Sequence, residues 1–244
     1  MPLWSPAMHY PTPLQKGVLV KRYKRFLADV ELASGELVTA HCTQPGSMMG
    51  LIEPGNHVWL SQSDNPKRKL KYSWELVEVD LGGGPVIVGV NTGLPNRLVA
   101  EAVEAGEIDE LTGYDGLKRE VRYGENSRID ILLTRQDTPP CYVEIKNVTL
   151  MRERGRAEFP DAVTTRGAKH FVELAGMVKQ GHRAVTVFIV QRADAEGFAI
   201  ARDIDPTYGE TFDTAKAAGV EVVAYACALS PEKIEIDRQI PIVA

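Results

Sequence analysis

The chain has 244 residues, 44% of them hydrophobic and 25% charged, with a net charge of −5. This is the composition of an ordinary globular protein, either one large domain or two small ones. Its longest strongly apolar run, Ala184–Val190, is far too short to span a bilayer, and Met1–Met8 lacks the basic start and apolar stretch of a signal peptide, so neither a membrane partner nor secretion is expected.

Residues 1–90 carry 9 Lys/Arg and 8 Asp/Glu, whereas residues 91–244 carry 19 and 25. The first part is therefore slightly basic and the second acidic, which divides the chain into domains 1–90 and 91–244. Three scattered cysteines, Cys42, Cys141 and Cys227, form no CxxC pair. They argue against structural zinc and for a reducing cytoplasm.

The first part reads as all-β. Gly17–Leu32 is a long extended segment, followed past Ser34-Gly35 by Leu37–Cys42. His57–Ser61, Lys71–Val79 and Pro85–Val90 complete five strands with turn residues between them, a pattern that suits a small OB-like barrel. Its basic residues cluster as Lys21, Arg22, Lys24 and Arg25, then as Lys67, Arg68, Lys69 and Lys71, with Tyr23, Phe26 and Tyr72 interleaved. Such clusters suit a phosphate backbone and stacked bases; they also suit two solvated surfaces. Trp59, Tyr72 and Trp74 fit a barrel core better than a stacking platform.

The second part alternates helices and strands. Pro95–Gly106 has Leu98, Val99, Ala102 and Val103 at helical spacing, with a glycine stop. Strands follow at Leu117–Tyr123, Arg128–Leu133 and Tyr142–Val148. Thr164 and Thr165 open a helix that runs to Gly181, and Arg183–Gln191 is a buried strand. Asp205-Pro206 opens the last helix, which stops at Gly219, and Val220–Cys227 is the last strand. The order predicts a mixed sheet flanked by helices.

Asp130, Glu144 and Lys146 lie on two of these strands. Alternation puts Glu144 and Lys146 on one face, and a connection of about 7 or 8 residues would bring Asp130 beside them. Buried charge needs a counter-charge or a metal. Two carboxylates for Mg²⁺ (or Mn²⁺), followed two residues later by a lysine, suit metal-dependent phosphodiester cleavage; a plain salt bridge also fits three such residues. Arg166, Lys169 and His170 overhang this place from the start of a helix and could meet a phosphate.

The element order with Asp130 and Glu144-x-Lys146 resembles the PD-(D/E)XK nuclease core, with Ile129-Asp130 where that superfamily has Pro-Asp. The resemblance implies a further catalytic acid on the first helix: Glu101, then Glu104, with Glu120 on the first strand as another option.

A second resemblance spans nearly the whole chain. Arg22–Asp29, Gly46–Gly50, Ser63–Asn65, Val90–Thr92 with Asn96–Leu98, Gly124–Asp130, Val143–Leu150 and Phe159–His170 are similar to the sugar fermentation stimulation protein A family. It implies a prokaryotic DNA-binding protein with an OB-like N-terminal domain and a nuclease-like C-terminal domain, linked by name to sugar (maltose) metabolism. Two functions stay open: a Mg²⁺-dependent nuclease, or a non-catalytic, largely sequence-nonspecific DNA-binding regulator. RNA remains an alternative partner, and a homodimer is compatible with cutting two strands.

Overall fold

The computed structural model describes residues 7–125 and 127–243. Chain order begins with β1 (Met8–His9) and continues into the barrel strands β2 (Gln15–Tyr23), β3 (Leu27–Leu32), β4 (Leu37–His41), β5 (His57–Gln62), β6 (Tyr72–Asp80) and β7 (Pro85–Gly89). Strands β2, β3, β4, β6 and β5 pair in a ring, closed by a short parallel contact at Ala40↔Tyr72 and His41↔Ser73. β7 hangs on the outer edge of β6. Inside, Leu19, Val30, Leu60, Trp74 and Val77 are fully buried. Trp74 donates its ring N–H to the Leu76 carbonyl (2.9 Å), as a buried indole must donate to something. The barrel aromatics Trp59 and Trp74 are core residues.

The extended segment expected over 17–32 is instead a hairpin. It turns at Lys24 and Arg25, both with positive φ (48° and 63°). Neither residue is a usual turn former, so the sequence carries no turn signal there.

The second lobe runs α1 (Pro95–Ala105), β8 (Gly116–Tyr123), β9 (Ser127–Arg135), β10 (Thr138–Val148), β11 (Leu150–Glu153), β12 (Arg156–Phe159), α2 (Thr165–Lys179), β13 (Arg183–Val190), β14 (Gly197–Ile200), α3 (Pro206–Ala217), β15 (Glu221–Leu229) and β16 (Lys233–Gln239). The main sheet has the order β1-β16-β15-β13-β10-β9-β8, parallel across β10, β13 and β15 and antiparallel elsewhere. β13 reads as an unbroken apolar run because both its faces are covered, by α1 on one side and by α2 and α3 on the other.

Three features depart from the expected order. β1 belongs to the second lobe's sheet, so the first residues described do not sit with the barrel. β15 is followed by an antiparallel partner, β16, rather than ending the sheet. β11, β12 and β14 form a small separate sheet.

Capping couples two helices. Asp205 accepts from the Tyr208 N–H (3.0 Å) to cap α3, and its second oxygen accepts from the Thr164 N–H (2.8 Å) at the start of α2. Among the described residues, no helix is long and apolar enough to cross a membrane.

Candidate active site at the fork between β9 and β10

The β9–β10 ladder starts from a two-residue turn, Gln136-Asp137, and its paired register ends at Ile131↔Val143. The next residue, Asp130, turns its carboxylate into the fork. One oxygen accepts from the Ile145 N–H and the other from the Asn96 side-chain amide of α1, both at 2.7 Å. Regular alternation breaks here: Ile131 packs into the α1-side core and Ile129 into the α2-side core.

Glu144 is 3% exposed. One of its oxygens accepts from the Lys146 ammonium (2.7 Å) and also meets Nδ1 of His170. The other is buried without a hydrogen-bond partner. With the ring hydrogen assigned to Nδ1, His170 donates to Glu144, and its Nε2 accepts from the Arg166 guanidinium at 3.4 Å.

The two acids titrate in opposite directions. Burial pushes Asp130 up, and the nearby Glu144 charge adds to it; the donors from Ile145 and Asn96 offset only part, leaving a pKa of about 6. Burial also pushes Glu144 up, but the His170 hydrogen bond and the Lys146 charge outweigh it and hold the group below its ordinary range.

Among the described residues, no group of three or more His, Cys, Asp and Glu side chains is arranged to hold a metal. The donor set at the fork is a pair of carboxylates, one with a free buried oxygen and the other raised by burial and by the charge of its neighbour. Both features fit a divalent cation, and Mg²⁺ commonly takes only one or two protein carboxylates, filling its shell with water and phosphate oxygens.

The other expected residues are distributed as follows. Glu101 pairs with Arg97 on α1 (2.6 Å) and makes no contact with Asp130; Asn96 does. Glu104 and Glu120 are exposed, Glu120 at a positive φ of 55°. Arg166 meets the site through His170, while Lys169 pairs with the buried Glu173 at 3.5 Å. Arg22 donates to the backbone carbonyls of Arg25, Gln44 and Gly46 (3.1, 2.8 and 3.0 Å) and so ties the 44–46 loop to the β2–β3 turn. Lys21 pairs with Asp29 at 3.5 Å, and Arg68 donates to Ser73 at 2.6 Å. Lys24, Lys67, Lys69 and Lys71 are exposed. Arg25 lines a cleft of about 410 Å³ that Lys146 also lines.

Sequence reasoning assigned no role to Asn96. Its position in the first turn after Pro95, on a helix whose apolar face meets the sheet, was the available signal.

Residues 20–90 match the family described as SfsA N-terminal OB domain, and residues 93–233 match Sugar fermentation stimulation protein RE domain. A sugar fermentation stimulation protein homolog of Maricaulis maris is 60% identical, covering 95% of this chain and 97% of its own. The homolog from Azorhizobium caulinodans is 55% identical over 96% of this chain and 99% of its own. The structure of Pyrococcus furiosus SfsA in complex with Ca²⁺ superposes with a TM-score of 0.86 at 27% identity, covering 97% of this chain and 98% of that one.

Proposed function

This chain belongs to the sugar fermentation stimulation protein family, and on that premise we propose that it is a DNA-binding nuclease that hydrolyses phosphodiester bonds with a divalent cation. The observation that carries this reading is the Glu144 carboxylate, with one oxygen held by Lys146 and His170 and the other buried without a partner beside Asp130. An unpaired buried carboxylate oxygen is costly unless a cation meets it. The Ca²⁺ bound by the Pyrococcus furiosus relative supports a divalent cation here.

Asp130 and the free oxygen of Glu144 would hold Mg²⁺ or Mn²⁺. Bound there, the ion supplies charge stabilisation to the phosphate and acidifies an attacking water. The chain's own groups do the rest. The Ile145 N–H and the Asn96 amide fix the Asp130 carboxylate in the fork. His170 fixes Glu144 through one oxygen, leaving the other to the cation. The Lys146 ammonium, held 2.7 Å from Glu144, offers a positive charge to the phosphate and a donor to the attacking water.

Cleavage of labelled single-stranded, duplex and branched DNA, and of RNA, in Mg²⁺, Mn²⁺ or EDTA tests the reading. Metal-dependent cleavage by wild type that is lost in Asp130→Ala is expected. Equal cleavage by wild type and variant, or none in any metal, contradicts it.

A second reading, a non-catalytic DNA-binding regulator of sugar metabolism genes, draws on the exposed Lys67, Lys69 and Lys71, which lie on the barrel. Binding that persists unchanged in Asp130→Ala, with no cleavage by wild type, favours it.

A further inference from the structure

The cleft of about 410 Å³ runs between the two lobes. One wall is the barrel, with Arg25, Gln44 and Gly46. The other is the sheet lobe, with Lys146, Phe159 and Thr164. Lys146 reaches the cleft with a side chain only 11% exposed, and its ammonium is bonded to the buried Glu144 at 2.7 Å.

The walls are tied together at one side. The Ser47 hydroxyl donates to the Asp161 carbonyl (2.7 Å), and the Met48 N–H donates to the Asp161 carboxylate (3.1 Å). Gln44 donates to Thr149 at 3.3 Å. Gly46 packs so closely on Asp161 that a Cβ there would overlap its carboxylate.

Arg25 is placed in this wall at a conformational cost. Two consecutive non-glycine residues, Lys24 and Arg25, have left-handed φ, each disfavoured by roughly 1 kcal/mol. Arg22 holds the turn by donating to the Arg25 carbonyl at 3.1 Å. Among the described residues, the Arg25 side chain has no acidic partner. Strain retained at an unpaired cation that lines a cleft points to a ligand there.

We propose that the cleft accepts a single nucleic-acid strand, with Arg25 clamping a backbone phosphate across from Lys146. This rests on the reading that the fork handles phosphodiesters and names the substrate class. A volume of this size lies at the small end of ligand pockets, roughly 300–1,000 Å³. The phosphates of a duplex lie on a stiff cylinder and do not reach the floor of a narrow cleft unless a strand is freed. A groove that sets cations, here Arg25 and Lys146, beside an apolar wall, here Phe159, is the arrangement that holds single strands without sequence preference.

The test is fluorescence anisotropy with a labelled oligothymidine strand and its duplex with oligoadenosine, in Ca²⁺ at fixed salt. Arg25→Gly removes the guanidinium while suiting the left-handed backbone. Val163→Glu adds a negative charge beside the cleft at a residue that is 73% exposed, so folding is not at risk. Lys216→Ala on α3 is the control.

The single strand is expected to bind at least about tenfold more tightly than the duplex. Both cleft variants should lose most of that preference, and the control should keep it. Duplex binding as tight as single-strand binding, or unchanged single-strand affinity in Arg25→Gly, overturns the proposal. Because the readout is binding, a protein that selects single strands but never cleaves would refute the nuclease reading alone. One that cuts duplex without preferring single strands would refute this proposal alone.

Discussion

The side-chain amide of Asn96 donates to Asp130 at 2.7 Å, so α1 reaches the acid at the fork through its second residue. Glu101, five residues further along the same helix, is instead paired with Arg97 at 2.6 Å. A hydrogen bond to a charged group contributes about 1.5–3 kcal/mol. Asn96→Ala should therefore lower kcat/KM by roughly ten- to a hundredfold, and Glu101→Ala should cost less. Steady-state kinetics on the two variants checks the order, and a larger loss in Glu101→Ala would return the helix acid to the site.

His170 holds one oxygen of Glu144 from a position only 6% exposed. His170→Ala should reduce kcat/KM by about tenfold or more, because Glu144 is then free to rotate away from the cation. His170→Asn retains a donor near the position of Nδ1 and should recover part of the loss. Equal activity in both variants would mean that the imidazole itself, rather than its donor, matters.

Asp130 gives the metal-free protein a pH signature. Its folded pKa, raised from 3.8 to about 6, means that the folded state holds the proton more tightly than the unfolded chain. Stability should therefore fall as pH rises between these values, by on the order of 3 kcal/mol, and level off above them. Glu144, held low, acts the other way, but only as pH falls below its ordinary value of 4.5. Urea unfolding in EDTA at pH 5 and pH 7.5 should show the decline in wild type and a smaller one in Asp130→Asn. Parallel declines in the two proteins would contradict the assignment.

Arg22 and the lysines of the β5–β6 loop should separate stability from binding. Arg22 donates to carbonyls on both sides of the 44–46 loop, so Arg22→Ala should lower the thermal midpoint. Charge reversal at Lys67, Lys69 and Lys71, all exposed, should leave the midpoint nearly unchanged. If each neutralises one phosphate, the slope of log affinity against log salt should shrink by about 2 for a single strand. An unchanged slope would remove this loop from the interface.

The strands that carry the site were legible because their chemistry is local. Glu144 and Lys146 alternate with Val143 and Ile145, and the apolar run at 184–190 marks a strand covered on both faces. The connection between β9 and β10 reads as a loop of about 7 or 8 residues because Pro139-Pro140 looks like a break. Those prolines lie inside β10 where the register shifts between Thr138 and Cys141, so a bulge absorbs the missing N–H groups. The β2–β3 turn was hidden for the opposite reason: Lys24 and Arg25 take left-handed backbone without glycine or asparagine. His170 is expected over the site from its place at the start of α2, but as a phosphate contact rather than a partner of Glu144, and Asn96 reaches Asp130 only through the tertiary packing of α1, which no spacing within that helix reports.

Single-turnover cleavage of a labelled single strand in saturating Mn²⁺, with binding followed on the same samples, tests the central claim most directly. Lys146→Ala and Asp130→Asn would be run beside wild type. The account predicts that both variants still bind the strand but cleave it at least about a hundredfold more slowly. Cleavage at the wild-type rate by either variant would contradict it.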